Sequence, residues 1–182
     1  MRVIIAGIAG VGKTTVLRKL MEKLDMKIIN FGDVMFEIAS KEGVKNRDEI
    51  RKLSYEKQLE LQRKAAEIIA KNKKVIIDTH CTIKTPYGYL PGLPYDILKI
   101  LMPKRIILIE ADAKDIVARR EKDKDIRKRD FESIEEIELH QLMNRIAAMN
   151  YAALVNATVK IVKNRENRID ETVEEIFEAI KG

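Results

Sequence analysis

An apolar run, Arg2-Val-Ile-Ile-Ala6, passes without a break into Gly7-Ile-Ala-Gly10-Val11-Gly12-Lys13-Thr14-Thr15. The second stretch fits G-x-x-x-x-G-K-[ST], the spacing at which a strand, a tight glycine turn and a helix wrap backbone N–H groups around phosphate oxygens. Val16, Leu17, Leu20, Met21 and Leu24 follow at helical spacing, so the motif has the flanks it requires. Such an opening implies an α/β fold with a polyphosphate at the carboxyl end of the first strand and at the N-terminus of the first helix. Gly7, Gly10, Val11, Gly12, Lys13, Thr14 and Thr15 are the expected donor-binding residues. Lys13 would reach the β- and γ-phosphates, and the Thr14 hydroxyl would be a ligand of Mg²⁺. Kinases, GTPases, ATPase motors and nucleotide-gated switches all use this loop.

At 182 residues the chain fits one α/β domain and is too short for a motor domain joined to a receptor domain, which favours small kinases. Strand-like runs recur at Val3 to Ala6, Lys27 to Asn30, Val75 to Asp78, Ile106 to Glu110 and Thr158 to Val162, with helical patterns between them. This pattern predicts a five-stranded parallel sheet with helices on both faces, the P-loop kinase arrangement. The first helix is expected over Lys13 to Leu24. Residues 31–73 carry two further helical patterns, Asp33 to Ser40 and Arg47 to Asn72, and read as an acceptor-binding insertion. Residues 79–94 are dense in Pro and Gly, which predicts a long irregular loop at the ligand side of the sheet. Residues 121–131 read as a short basic lid leading into a helix from Phe131 to Val155.

Phosphoryl transfer needs alignment and positive charge more than covalent help from the protein. Asp78 ends the strand expected beside the first one, close to Thr14, and is the favoured metal-side carboxylate, with Glu110 and Asp112 as its rivals. Arg119, Arg127, Arg129 and Arg145 supply the cations; Arg145 falls among Leu142, Met143 and Ile146, which predicts an inward guanidinium paired with an anion or with a buried carboxylate. Arg47 is a candidate clamp for an acceptor phosphate, or an exposed charge. No guanine-reading Asn-Lys-x-Asp occurs, since Asn72-Lys73-Lys74 is followed by Val75. Cys81 is the one cysteine, so neither a disulfide framework nor a multi-cysteine zinc site is available. The apolar runs are strand-sized and the first residue already begins the fold, so a cytoplasmic protein with no membrane partner is expected. Lys and Arg number 35 against 29 acids, suggesting an anionic partner, but aromatics are too scarce for a nucleic-acid stacking platform.

Taken together, these blocks resemble the archaeal-type adenylate kinases. The resemblance rests on the phosphate loop, Ile29-Asn30-Phe31-Gly32-Asp33, Arg47-Asp48-Glu49-Ile50-Arg51-Lys52-Leu53, Ile77-Asp78-Thr79-His80 and Lys84-Thr85-Pro86-x-Gly88-Tyr89-Leu90-Pro91-Gly92-Leu93-Pro94. It continues through Arg127-x-Arg129-Asp130, His140-Gln141-x-x-Asn144-Arg145 and Ala157-Thr158-Val159-Lys160-Ile161. The resemblance implies the reaction ATP·Mg + AMP ⇌ 2 ADP. It implies that Gly32, Asp33, Arg47, Asp78, Thr79 and His80 line the AMP side, and that Lys13, Arg119, Arg127, Arg129 and Arg145 serve transfer and ATP. It also implies a homotrimer. Two other readings stay open at this point: a kinase for another nucleoside monophosphate, and a nucleotide-gated factor in RNA or ribosome assembly, suggested by the basic balance.

Overall fold

The computed structural model describes residues 1–122 and 132–182, apart from the side chains of Asp48 and Arg51. In chain order the elements are β1 (Arg2–Ala6), α1 (Lys13–Met21), β2 (Lys27–Asn30), α2 (Phe31–Lys41), a 3-10 turn (Arg47–Lys52), α3 (Tyr55–Ala70) and β3 (Val75–Thr79). Then come β4 (Thr82–Thr85), β5 (Gly88–Pro91), α4 (Tyr95–Leu101), β6 (Arg105–Glu110), α5 (Ala113–Lys122), α6 (Ile134–Val155), β7 (Thr158–Lys163) and α7 (Ile169–Lys181). Five strands form one sheet in the order β2-β3-β1-β6-β7, every neighbouring pair parallel. All five strands expected from the apolar runs are present, and β3 does lie beside β1.

Successive residues of a strand face opposite sides, and here both sides are covered. Val3, Ile5, Ile107 and Ile109 pack with α1 and α7 through Val16, Leu20, Val173 and Ile176. Ile4, Ala6, Ile77 and Leu108 pack on the other side with α3, α4 and α6 through Ala65, Ile69, Leu98 and Tyr151. A separate small core of Ala39, Ile50 and Leu61 holds the far ends of α2 and α3 together. Among the described residues no helix is long and apolar enough to cross a membrane.

Local chemistry moved several expected boundaries. The Asn30 side chain accepts from Asp33 N–H, so α2 starts at Phe31, ahead of Asp33. The single helix expected from Arg47 breaks at Leu53, where the chain is extended and Ser54 caps α3 by accepting from Lys57 N–H. The irregular loop expected over residues 79–94 is instead built on an antiparallel hairpin, Thr82–Thr85 against Gly88–Pro91. Pro86 falls in its turn and Pro91 at the end of an edge strand, places where a missing N–H costs nothing. Gly88 supplies the turn's positive φ of 118°.

The hairpin is moored to the body by buried polar contacts. Asn144 Oδ1 accepts from both the N–H and the hydroxyl of Thr82, at 3.0 and 2.8 Å. Tyr151 Oη and Gly92 N–H both donate to the Cys81 carbonyl, at 2.8 and 2.7 Å. Cys81 itself is fully buried, and burial pushes its thiol up to about 12, so it is a structural side chain and no nucleophile. A Cβ on Gly92 would stand 2.0 Å from the His80 carbonyl oxygen. Gly92→Ala is therefore expected to destabilise the fold by about 1–3 kcal/mol, the cost of shifting packed backbone, read as a lower urea midpoint.

Candidate active site

The phosphate loop connects β1 to α1, and its shape is held from outside. Arg120 Nε donates to the Ala9 carbonyl at 2.9 Å, Arg119 Nη1 to the Gly10 carbonyl at 3.3 Å and Asn164 Nδ2 to the Val11 carbonyl at 2.8 Å. No peptide bond among the described residues is cis, so each gripped carbonyl turns the following N–H the opposite way. The N–H of Val11 is taken by the Ile8 carbonyl, while those of Gly10 and Gly12 are directed away from their grips, where an anion can meet them. Gly12 needs to be glycine twice over: its φ is 87°, and a Cβ would stand 2.4 Å from Asn164 Nδ2. Gly7 has no more room, because a Cβ would meet the Ile109 carbonyl oxygen at 2.5 Å.

Lys13 opens α1 and leans across to β3. Its ammonium donates to the Asp78 carboxylate and, at 2.9 Å, to the Thr79 carbonyl. Asp78 also accepts from Asn30 Nδ2 at 2.7 Å. The Asn30 side-chain oxygen in turn accepts from Arg47 Nη2 at 3.0 Å, and Arg47 Nη1 donates to Asp33 at 2.8 Å. A polar chain thus runs Lys13, Asp78, Asn30, Arg47, Asp33. It joins Lys13 of the expected donor side to Asp78, Arg47 and Asp33 of the expected acceptor side. Gly32 sits directly under the Arg47 guanidinium, and Thr79 is buried at the end of β3. Thr14 and Thr15 are exposed at the start of α1, and Val11 is buried behind the loop.

His80 keeps an exposed edge toward this cleft although protein atoms crowd the rest of the ring. Burial, and next the Lys13 ammonium, lower its pKa to about 4, so it is neutral near pH 7. Hydrogen bonding to Gly7 backbone ties it to the start of the phosphate loop.

Arg145 departs from expectation in its direction but does pair with a buried carboxylate, that of Glu110. The inward face of α6 is Ile137, His140, Gln141, Asn144, Ala148 and Tyr151, while Leu142, Arg145 and Ile146 are on the exposed side. The helical phase, offset by one residue, is the reason. Arg145 makes a two-pronged pair with Glu110, Nε to Oε1 at 2.7 Å and Nη2 to Oε2 at 2.5 Å, over an open cavity that Asp112, Gln141 and Lys163 also line. Asp112 is paired with Lys163. Both rivals of Asp78 are therefore engaged by cations, as Asp78 itself is by Lys13. Arg119 pairs with Glu166 besides gripping Gly10. Arg127 and Arg129 lie outside the described residues.

Sequence reading sees Arg120 only as one of two arginines ending a helix, and it misses Asn30 and the loop-holding use of Arg120 and Asn164. Asn30 had a usable signal, a capping residue at the end of a strand three positions before an acid. Arg120 had none, because a second arginine at a helix end looks like solvated charge.

A family model described as an AAA domain matches residues 6–138. Shikimate kinases share the fold at low identity: that of Bacteroides thetaiotaomicron has a TM-score of 0.62 at 20% identity, covering 100% of this chain and 99% of that one. The enzyme of Aquifex aeolicus has a TM-score of 0.59 at 17% identity, covering 100% and 97%. The sheet order, the loop between β1 and α1, and the Lys13 reach to β3 define a P-loop kinase. The adenylate kinase of Methanopyrus kandleri is 52% identical over 186 residues, covering 99% of this chain and 97% of that protein. Those of Methanocaldococcus jannaschii and Thermoplasma volcanium are 51% and 47% identical, over 98% and 100% of this chain and 97% and 100% of theirs. The chain belongs to the adenylate kinase family.

The two histidines of the chain bear on its acid stability. His140 is buried against Tyr89, ring centroids 5.1 Å apart, with neither ring nitrogen hydrogen-bonded among the described residues. Burial lowers its pKa below 6.5, with Glu132 opposing. The unfolded chain then takes up protons that the folded chain refuses, so stability is lost as pH falls below the ordinary histidine value. Urea unfolding is expected to show a falling midpoint from pH 7 to pH 5, and His140→Phe to flatten that slope; an unchanged slope would contradict a neutral buried His140.

Proposed function

We propose that this protein catalyses reversible phosphoryl transfer, ATP·Mg + AMP ⇌ 2 ADP, with ATP on the phosphate loop and AMP on the α2 side of the cleft. The observation that carries the reading is the polar chain from Lys13 to Arg47, which links a donor cation to an acceptor cation through only Asp78 and Asn30. Family membership supports adenine nucleotides on both sides.

Each of these cations has a carboxylate partner: Lys13 has Asp78, Arg47 has Asp33 and Arg145 has Glu110. Phosphate oxygens can replace those carboxylates with charge-assisted hydrogen bonds of the same kind. Lys13 would move to the transferring phosphoryl group and Arg47 to the AMP phosphate. Arg119 would combine its hold on Gly10 with contact to ATP, its neighbour Asn164 bordering the adenine. Arg145, with Arg127 and Arg129, would add charge around the moving group. Gly32 leaves the Arg47 guanidinium room, and Thr79 and neutral His80 form the corner between the two nucleotides. Water must be kept from the γ-phosphate, which the closing of a lid formed by residues 121–131 over an acceptor insertion of residues 31–73 would accomplish.

Thr14 and Asp78 offer hard oxygen donors of the kind Mg²⁺ takes. Both Asp78 oxygens are already bonded, to Lys13 and Asn30, which suits a role through water better than direct ligation. When bound, the ion would neutralise charge between the β- and γ-phosphates.

A homotrimer working in the cytoplasm belongs to the same proposal. Besides its buried face, α6 exposes Leu139, Leu142, Ile146 and Met149 at helical spacing, each 48–60% exposed. A helix apolar on two sides needs cover on both, and copies of the same chain are the occupants favoured here. Light scattering is expected to give three times the chain mass, and Leu142→Glu with Ile146→Glu to give the single-chain mass.

Steady-state assays offering AMP, CMP, UMP, GMP and shikimate with MgATP test the acceptor, and only AMP is expected to turn over rapidly. Arg47→Ala is expected to raise the KM for AMP by about tenfold or more while leaving that for ATP within about twofold, the scale of losing one charged hydrogen-bonding group. Equal changes in both would remove Arg47 from the acceptor site.

A further inference from the structure

Arg120 and Glu132 form a pair that the phosphoryl-transfer scheme does not use. Both side chains are almost enclosed, 12% and 11% exposed. Arg120 Nη1 donates to Glu132 Oε2, while Nε of the same guanidinium holds the Ala9 carbonyl of the phosphate loop. The other oxygen of Glu132 accepts from Lys84 on the β4–β5 hairpin at 3.0 Å, and Lys84 also donates to Glu136 at 2.9 Å. Gly10 rests on this arginine: a Cβ there would stand 3.2 Å from Arg120 Cγ. With φ at 95° and no side chain of its own, Gly10 does little to fix the peptide that precedes it, so the orientation of the Ala9–Gly10 peptide depends on what holds the Ala9 carbonyl.

We propose that Glu132 is a positioning residue for the donor site, fixing the Arg120 guanidinium so that the Ala9 carbonyl stays outward and the Gly10 N–H stays turned to the donor phosphates. The proposal rests on the phosphate loop being the donor site in the reading above. A guanidinium is a planar fork, and holding it at two edges leaves it one orientation. With Glu132 gone, the freed edge can turn to solvent and take the Nε donor off Ala9. Burial pushes the Glu132 carboxyl up, but the bonds from Arg120 and Lys84 outweigh it and hold the group below the usual carboxylate range, so the pair is ionised at neutral pH. Among the described residues the hydrogen bonds of Arg47 go to Asp33 and Asn30, and those of Arg120 and Glu132 go to Ala9, Lys84 and each other, so the two sets share no partner.

The competing reading is structural: Glu132 would merely anchor the hairpin through Lys84. Titration calorimetry with MgADP and, separately, AMP distinguishes the two, using the full chain and variants whose folding is checked by near-UV circular dichroism. Glu132→Gln keeps the side-chain volume and is expected to weaken MgADP binding about tenfold, as expected for a charged hydrogen bond, with AMP affinity unchanged. Arg120→Ala is expected to weaken MgADP at least as much, and Glu132→Gln to add nothing further on that background, since both remove one linkage. Lys84→Met loosens the hairpin without touching Arg120 and is expected to lower the urea midpoint while leaving MgADP affinity within twofold. MgADP affinity unchanged in Glu132→Gln, additive losses in the double variant, or an equal loss in Lys84→Met would each overturn the proposal. If the wild-type chain bound MgADP but failed to phosphorylate AMP, the catalytic reading would fall and this one would still be testable by the same titrations.

Discussion

A backbone N–H can be aimed at a phosphate only if the carbonyl across its own peptide is held somewhere else. Three consecutive carbonyls, those of Ala9, Gly10 and Val11, are held here by Arg120, Arg119 and Asn164. The glycines make the turn possible, but their freedom alone would leave the peptides free to rotate. The outer grips convert that freedom into one arrangement, and the cost of ordering the loop falls on folding instead of on nucleotide binding. Much of the chain serves this end. α5 carries both gripping arginines, and the asparagine directly follows β7.

Cations in the cleft are already satisfied by carboxylates. An unpaired Lys13 or Arg47 would bind phosphate more strongly in principle, yet would also repel its neighbours and attract any anion at hand. On the proposed reading, pairing makes nucleotide affinity a difference between two similar sets of bonds. It suits an enzyme that must release ADP from both sites as readily as it takes ATP and AMP. The pKa of His80 is lowered first by burial and next by Lys13, beside which a second positive charge is disfavoured.

What could be read in the sequence follows from what is local. β1, the phosphate loop and α1 form a continuous pattern, and the apolar runs of β3 and β6 are short and unbroken because both faces of those strands are buried. The β4–β5 hairpin escaped notice because its prolines sit where strands tolerate them, which composition does not reveal. The apolar neighbours Leu142 and Ile146 point Arg145 inward on paper, whereas the inner face of α6 is lined partly by His140, Gln141 and Asn144. Those three polar residues are buried for their contacts with the hairpin and the β6 end, and no periodicity argument finds such contacts. The Arg120 and Glu132 link is equally invisible, because it depends on two chain segments meeting at the loop.

The grips on the phosphate loop also have a bearing on how the protein comes into being. The motif is made well before the side chains that set its shape, which lie 109, 111 and 153 positions further along the chain. A nascent chain carrying the whole G-x-x-x-x-G-K-T sequence would therefore still lack a formed nucleotide site, and acquires one only after Asn164 has left the ribosome. Binding competence therefore waits for β7 and the residue after it, which spares the unfinished domain from being held by ATP before its sheet is complete.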